Sequence, residues 1–462
     1  MEGISRCCRD LYHQPFDRQK VIYICGGVGA AFLIVIVIIT ISLMSSSPSQ
    51  PDNTRGSDAL KNAPLIIGYN NFSQNIKAFR RNQISTFNLS ADWKSDEQLK
   101  TCTTCQTDYP KLKAGKVAVQ VWTASVNCTA QYKDSVSQTL EQIDVIQRFI
   151  SSNPTKLSLA TTSKGIETEF SKNTAAIGSM ISIDGGHSID GRLGVLRMYY
   201  QLGVRMMSLA SACNTTWSLS YEATANSTKD TGLTAFGKIV VAEMNRLGMI
   251  IDLSGSSNAT QLQVLNITKA PVVFSHSACA NLTAAGGLNI PDDVLLKLKE
   301  NKGLVMLTFS PKQLNSTAAA TVNDVITHLN YLRTKIGASY IGIGGAYDLY
   351  ETYPTGLSDI STIGSLFDNL YANSSWSLPQ LEALAGKNFL SLLKTVESVR
   401  DGMSLTSGAN ETWEDQGDYN NVEKTCYSDF TWRYPPAPAQ APPPTSTQAP
   451  PPPPPASGTG SR

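Results

Sequence analysis

Nine short apolar runs, separated by amphipathic stretches across about 370 residues, constrain this chain more than any other feature. The runs are Leu65–Ile67, Val117–Val121, Leu157–Leu159, Met180–Ile183, Met206–Leu209, Met249–Leu253, Val272–Phe274, Leu304–Leu307 and Tyr340–Ile343. Several are apolar almost throughout, so they read as strands covered on both faces, the habit of a parallel sheet. Asp134–Phe149, Leu193–Leu202, Gly237–Leu247 and Asp292–Glu300 carry helical patterning between them. Repeated strand–helix alternation predicts α/β architecture with parallel units, and eight or nine such units in one domain point to a (β/α)8 TIM-like barrel. A doubly wound open sheet is the alternative. In a barrel, functional side chains gather where the strands end.

The flanks differ from this pattern. Residues 21–44 form one apolar run without a charged residue, long enough to cross a bilayer. Its length and the absence of an obvious cleavage site favour an uncleaved anchor over a signal peptide. Arg6, Arg9, Arg18 and Lys20 precede it, and the next basic residue is Arg55. The positive-inside rule therefore places residues 1–20 in the cytoplasm and the rest outside, a single-pass type II arrangement at the plasma membrane. Residues 45–62 read as a flexible stalk, 63–434 as the barrel domain and 435–462 as a Pro-rich disordered tail. Sequons after the anchor at Asn71, Asn88, Asn127, Asn214, Asn226, Asn258, Asn266, Asn281, Asn315, Asn373 and Asn410 suit a glycoprotein. Cys102, Cys105, Cys128, Cys213, Cys279 and Cys426 then lie where disulfides form. Cys102 and Cys105 suit either a loop disulfide or separate pairings. A net charge of +1 gives no reason to expect a nucleic-acid partner.

Within the barrel region, motifs appear in a fixed order. Ser182-Ile183-Asp184-Gly185-Gly186-His187-Ser188 resembles an EGGHS motif, and Cys213-Asn214-Thr215-Thr216-Trp217 a CNTPW motif. Asn245–Leu253, Ala270–Ser277, Asn289–Val294 and Ile341–Gly345 continue the series. The set is similar to the membrane (renal) dipeptidase family over residues 64 to 400. That resemblance implies a metal-dependent barrel, usually dimeric, whose active members cleave dipeptides with two zinc ions bridged by a carboxylate and a hydroxide. It also implies a Cys128–Cys213 disulfide and an intersubunit disulfide near Cys426.

The family's zinc ligands are a His-x-Asp after the first strand, a Glu after the fourth, and a His after each of the sixth and seventh. Here those positions hold Tyr69 and Asn71, Asp184, Gly255 and His276. The two catalytic assistants, a His after the fifth strand and an Asp after the last, are replaced by Ser211 and Ala346. Only His276 is unchanged, and Asp184 is one methylene short. Two adjacent Zn²⁺ ions need several imidazole and carboxylate ligands and a bridging anion. The expectation is therefore a catalytically inactive binding or surface glycoprotein with no cofactor, an unidentified extracellular ligand and a homodimeric state. The alternative is a metallodipeptidase with an altered zinc set. Six reversions together, Tyr69→His, Asn71→Asp, Asp184→Glu, Ser211→His, Gly255→His and Ala346→Asp, are expected to recover metal binding if the barrel geometry survives them.

Overall fold

The structure, a computed structural model, describes residues 55–173, 176–224, 229–283 and 288–403. The anchor at 21–44, the tail at 435–462, Cys426, Asn226 and Asn410 lie outside the described residues, and no described helix is long and apolar enough to cross a membrane.

All nine apolar runs become strands: β1 (Leu65–Asn70), β2 (Val117–Ser125), β3 (Leu157–Leu159), β4 (Ile177–Asp184), β5 (Val204–Ser208), β6 (Ile250–Asp252), β7 (Val273–Ser277), β8 (Leu304–Thr308) and β9 (Ile341–Tyr347). Every pairing is parallel. β1 pairs with both β2 and β9, β2 pairs with β4, and β4 through β9 follow in turn. This closes an eight-stranded barrel and removes the open-sheet alternative. The ninth strand, β3, lies outside the ring. Gly178 and Ser179 of β4 pair with both β2 and β3, whereas Ile181–Ile183 pair with β2 and β5. A strand has two edges, so β3 shares β5's edge of β4, nearer the strand's start.

Burial explains why the runs lack alternation. Ile66, Val119, Val121, Met180, Met206, Ile250, Val273, Leu304 and Met306 form one cluster, packed with Phe389, Leu390 and Leu393. Their strand neighbours Leu65, Ile67, Trp122, Ile181, Ile183, Met207, Ile251, Val305 and Leu307 belong to a second cluster with the surrounding helices. Successive side chains point to opposite faces, and here both faces are apolar.

The surrounding helices include α1 (Phe72–Arg80), α2 (Ser135–Ser151), α3 (Ser163–Ser171), α4 (Leu193–Gln201), α5 (Ala235–Leu247), α6 (Asn258–Ile267), α7 (Asp292–Asn301), α8 (Val322–Lys335), α9 (Ile363–Ser374) and α10 (Asn388–Gly402). Local signals set several ends. Thr234 Oγ1 accepts from Gly237 N to start α5, and Thr321 and Asp324 form a capping box on α8. The folded part also begins before the expected stalk boundary. Gly56–Asp58 and Ala59–Asn62 are helical, Ala59 and Leu60 are buried, and Ser57 N donates to Asp368 of α9 at 2.8 Å. Small and apolar side chains at 56, 59 and 60 fit that packing.

Candidate active site

The C-terminal ends of the strands bring the expected site residues to one end of the barrel. Tyr69 is the penultimate residue of β1, and Asn71 follows the strand. Asp184 is the last residue of β4, His276 lies in β7 and Ala346 in β9. Ser211 and Gly255 stand in the loops after β5 and β6.

Asp184 is held by two hydroxyls. Tyr69 Oη donates to Oδ2 at 2.9 Å and Ser208 Oγ donates to Oδ1 at 2.9 Å. Ser208 Oγ in turn accepts from Gly185 N at 2.7 Å. Tyr69 is fully enclosed. Burial first, then the neighbouring Asp184 charge, raises its phenol well above the usual tyrosine range, so it stays a donor. The Tyr69 ring also lies 4.2 Å from the His276 ring, centroid to centroid. The position that carries a ligand His in active relatives is thus occupied by a phenol that binds the remaining carboxylate directly.

His276 is held from behind. Ser275 Oγ donates to Asp252 Oδ2 at 2.5 Å and lies 2.7 Å from His276 Nδ1. A serine has one hydroxyl proton. With that proton given to Asp252, Ser275 Oγ is left to accept from His276 Nδ1–H. Asp252 Oδ1 accepts from Ser254 N and Ser275 N, each at 3.0 Å. The Asp252–Ser275 support was not legible as a role in sequence, although both residues sit in motifs that flank the site.

Gly255 has φ +75°, and a Cβ built there would lie 2.7 Å from Ser211 Cα and 2.8 Å from Ser211 O. No side chain fits without moving backbone. Ser211 is itself left-handed at φ +49°, and so is Ala346 at φ +59°. Ala346 is fully buried, and its carbonyl accepts from Tyr353 Oη at 2.8 Å. The expected recovery of metal binding by six reversions rests on the barrel geometry surviving, and Gly255→His would need a rebuilt loop, because Ser211 backbone lies against the position.

The other two described histidines are structural. His187 Nε2 meets Val126 O at 3.0 Å, and burial lowers its pKa. His328 Nε2 meets Leu314 O at 3.1 Å, and its Nδ1 accepts from Cys279 N at 3.2 Å. Among the described residues, no three His, Cys, Asp or Glu side chains are grouped to hold a metal ion. The donors present at the family positions do not fit a zinc pair: a phenol, an amide, a glycine, one imidazole and one carboxylate already bound by hydroxyls.

A second buried carboxyl lies just past Ala346. Asp348 Oδ1 accepts from Gln106 N at 2.7 Å and Thr107 N at 2.9 Å, fastening the loop that follows Cys102 and Cys105. Burial pushes Asp348 up to about 7, against the pull of those N–H groups. Cys102 and Cys105 are joined to each other, and Cys128 is joined to Cys213 across the loops after β2 and β5. Cys279 is a free, buried thiol. Of the expected glycan sites, Asn88, Asn127, Asn214, Asn258, Asn266, Asn281 and Asn373 are exposed and Asn315 is half-buried. Asn71 is buried beneath the start of α1 and its sequon is inaccessible.

Known proteins agree with this architecture. Residues 55–407 match the family model described as membrane dipeptidase, peptidase family M19. Dipeptidase 3 of Mus musculus is 39% identical over 348 residues, covering 74% of this chain and 66% of that protein. Dipeptidase 3 of Homo sapiens is 37% identical over 380 residues, covering 81% and 72%. Among solved structures, dipeptidase AC, a family M19 metallopeptidase, superposes with a TM-score of 0.64 at 20% identity, covering 72% of this chain and 98% of that one. A metallopeptidase from Rhodobacter sphaeroides, liganded with a phosphinate mimic of L-Ala-D-Ala, gives 0.62 at 20% identity, covering 72% and 99%. At that identity these structures speak for the fold. With a family model spanning most of the chain and relatives this similar, the chain belongs to the membrane dipeptidase family, peptidase family M19.

Proposed function

We propose that this chain is a non-catalytic member of its family, a surface glycoprotein whose barrel end no longer assembles zinc. The observation that carries this reading is the Tyr69–Asp184 hydrogen bond. A dinuclear site needs its bridging carboxylate free for two cations, and here both Asp184 oxygens accept hydroxyl protons. Gly255 adds support, since its backbone leaves no room for the imidazole that active relatives place there. Loss of the metal removes the activated water as well as the Lewis acid. Loss of a general acid–base group typically costs about 10²–10⁴-fold more, and both assistant positions hold residues that cannot act so, Ser211 and Ala346. The test is dipeptide hydrolysis by purified protein with and without added zinc; activity sensitive to chelator would overturn the proposal.

A second reading is a metallodipeptidase with an altered ligand set. One observation favours it: Asn71 Oδ1 is buried without a protein hydrogen-bond partner, as a ligand oxygen would be. An amide oxygen, one imidazole and a shortened carboxylate make a weak set for Zn²⁺.

Placement and assembly form part of the proposal. The N-terminal apolar run anchors the chain as a type II membrane protein, the barrel lies outside the cell, and Cys426 links two copies. Protease added to intact cells should remove the barrel and spare residues 1–20. Non-reducing gels should show a dimer that Cys426→Ser abolishes.

A further inference from the structure

A cavity lies at the opposite end of the barrel from Asp184. It is a cleft of about 950 Å³ where β2, β3 and β4 begin, beside α3. Lys61, Lys113, Lys116 and Lys164 line it, with Glu169 as the acidic member. Glu169 is already paired with Lys172 at 2.8 Å, and Lys61 with Asp58 at 2.6 Å. Lys116 and Lys164 are exposed and make no ion pair among the described residues. Leu159, at the end of β3, opens into the same cleft and is 48% exposed. A cationic groove with an uncovered apolar side chain calls for an anionic occupant that also carries apolar groups.

The chain itself contains such a segment. Residues 411–423 hold Glu411, Glu414, Asp415, Asp418 and Glu423, with no Lys or Arg, and carry Trp413 and Tyr419. The described chain ends close by. Ser163 N donates to Glu397 Oε1 at 2.9 Å, and Lys394 pairs with Glu167 at 2.6 Å. These contacts lay α10 along α3, the helix whose Lys164 and Thr168 form a wall of the cleft. α10 ends at Gly402, under two turns past Glu397. The seven residues 404–410, extended, span up to about 25 Å, enough to bring residue 411 to the cleft. We propose that the acidic stretch 411–423 of this same chain occupies the cleft, its carboxylates on Lys116 and Lys164 and an aromatic ring on Leu159. The proposal does not depend on whether the opposite end binds zinc.

The experiment uses the full chain in low salt. Chymotrypsin cleavage after Trp413 and Tyr419 should be slow, and K116E/K164E should speed it about tenfold, because cleavage tracks the released population. Adding E414K/D415K to that variant should restore protection by reversing both charges. Zero-length carbodiimide coupling should join Lys116 or Lys164 to acids of 411–423 within one chain. Equal cleavage of the native chain and K116E/K164E would overturn the proposal. So would faster cleavage without rescue by the charge swap, since the lysines would then be acting on the barrel. Couplings that run only between chains would assign the cleft to a different molecule and overturn it too.

Discussion

The Tyr69 hydroxyl donates to Asp184 Oδ2 at 2.9 Å, joining the end of β1 to the end of β4 across the site. On the proposed non-catalytic reading, this direct bond takes the place of a metal-mediated link. A hydrogen bond to a charged group contributes about 1.5–3 kcal/mol. Tyr69→Phe should therefore lower stability by roughly that amount, read from the denaturant midpoint. In an Asp184→Asn background the same change should cost clearly less, because the charged acceptor is gone. Equal costs in both backgrounds would mean that the bond contributes little.

Gly255 tests whether the ligand position has closed. Gly255→Ala adds only a Cβ, yet it forces a left-handed φ and contact with Ser211 backbone. The expected loss exceeds about 1 kcal/mol. Gly255→His should be at least as destabilising and should not increase zinc uptake. A neutral Gly255→Ala would show that the loop is adaptable.

The strands were readable because a run apolar on both faces has few other uses, and each of the nine runs became a strand. Motif order placed Tyr69, Asp184 and His276 together at the strand ends. The bonds among them were not readable, because Tyr69 and Asp184 lie 115 residues apart in sequence, on two different strands. The start of the fold was misjudged for a similar reason. Gly56–Asn62 looks like linker by composition, and partners distant in sequence order it: Asp368 of α9 accepts from Ser57 N, Glu382 accepts from Asn62, and Ala59 and Leu60 are buried. Asp348 gave no local sign of burial, since its partners Gln106 and Thr107 lie more than 240 residues away.

Asp348 predicts a pH dependence. Its folded-state pKa is raised from 3.8 to about 7, chiefly by burial. Between about pH 4 and 7 the unfolded chain gives up this proton while the folded chain keeps it. Stability from this group is thus fully present below about pH 4 and is lost as pH rises to about 7. At about 1.4 kcal/mol per pH unit, the loss is on the order of 4 kcal/mol. Asp348→Asn keeps the acceptor for Gln106 and Thr107 and suits a left-handed backbone. Its urea stability relative to native should rise across that window and level off above it. A constant offset between the two pH curves would remove the assignment.

The Cys128–Cys213 bond closes a long loop, with a sequence separation of 85. Replacing both cysteines by serine should cost about 2–5 kcal/mol, measured by thermal or urea unfolding. It should leave Cys102–Cys105 intact by peptide mapping.

The most direct test is metal content. Full-length protein, purified without chelator and dialysed against micromolar zinc, is assayed for zinc per chain by mass spectrometry of the metal. The account predicts less than one tightly bound zinc per chain, unchanged in Tyr69→Phe. Two zinc ions per chain, lost together with dipeptide hydrolysis on chelation, would contradict it.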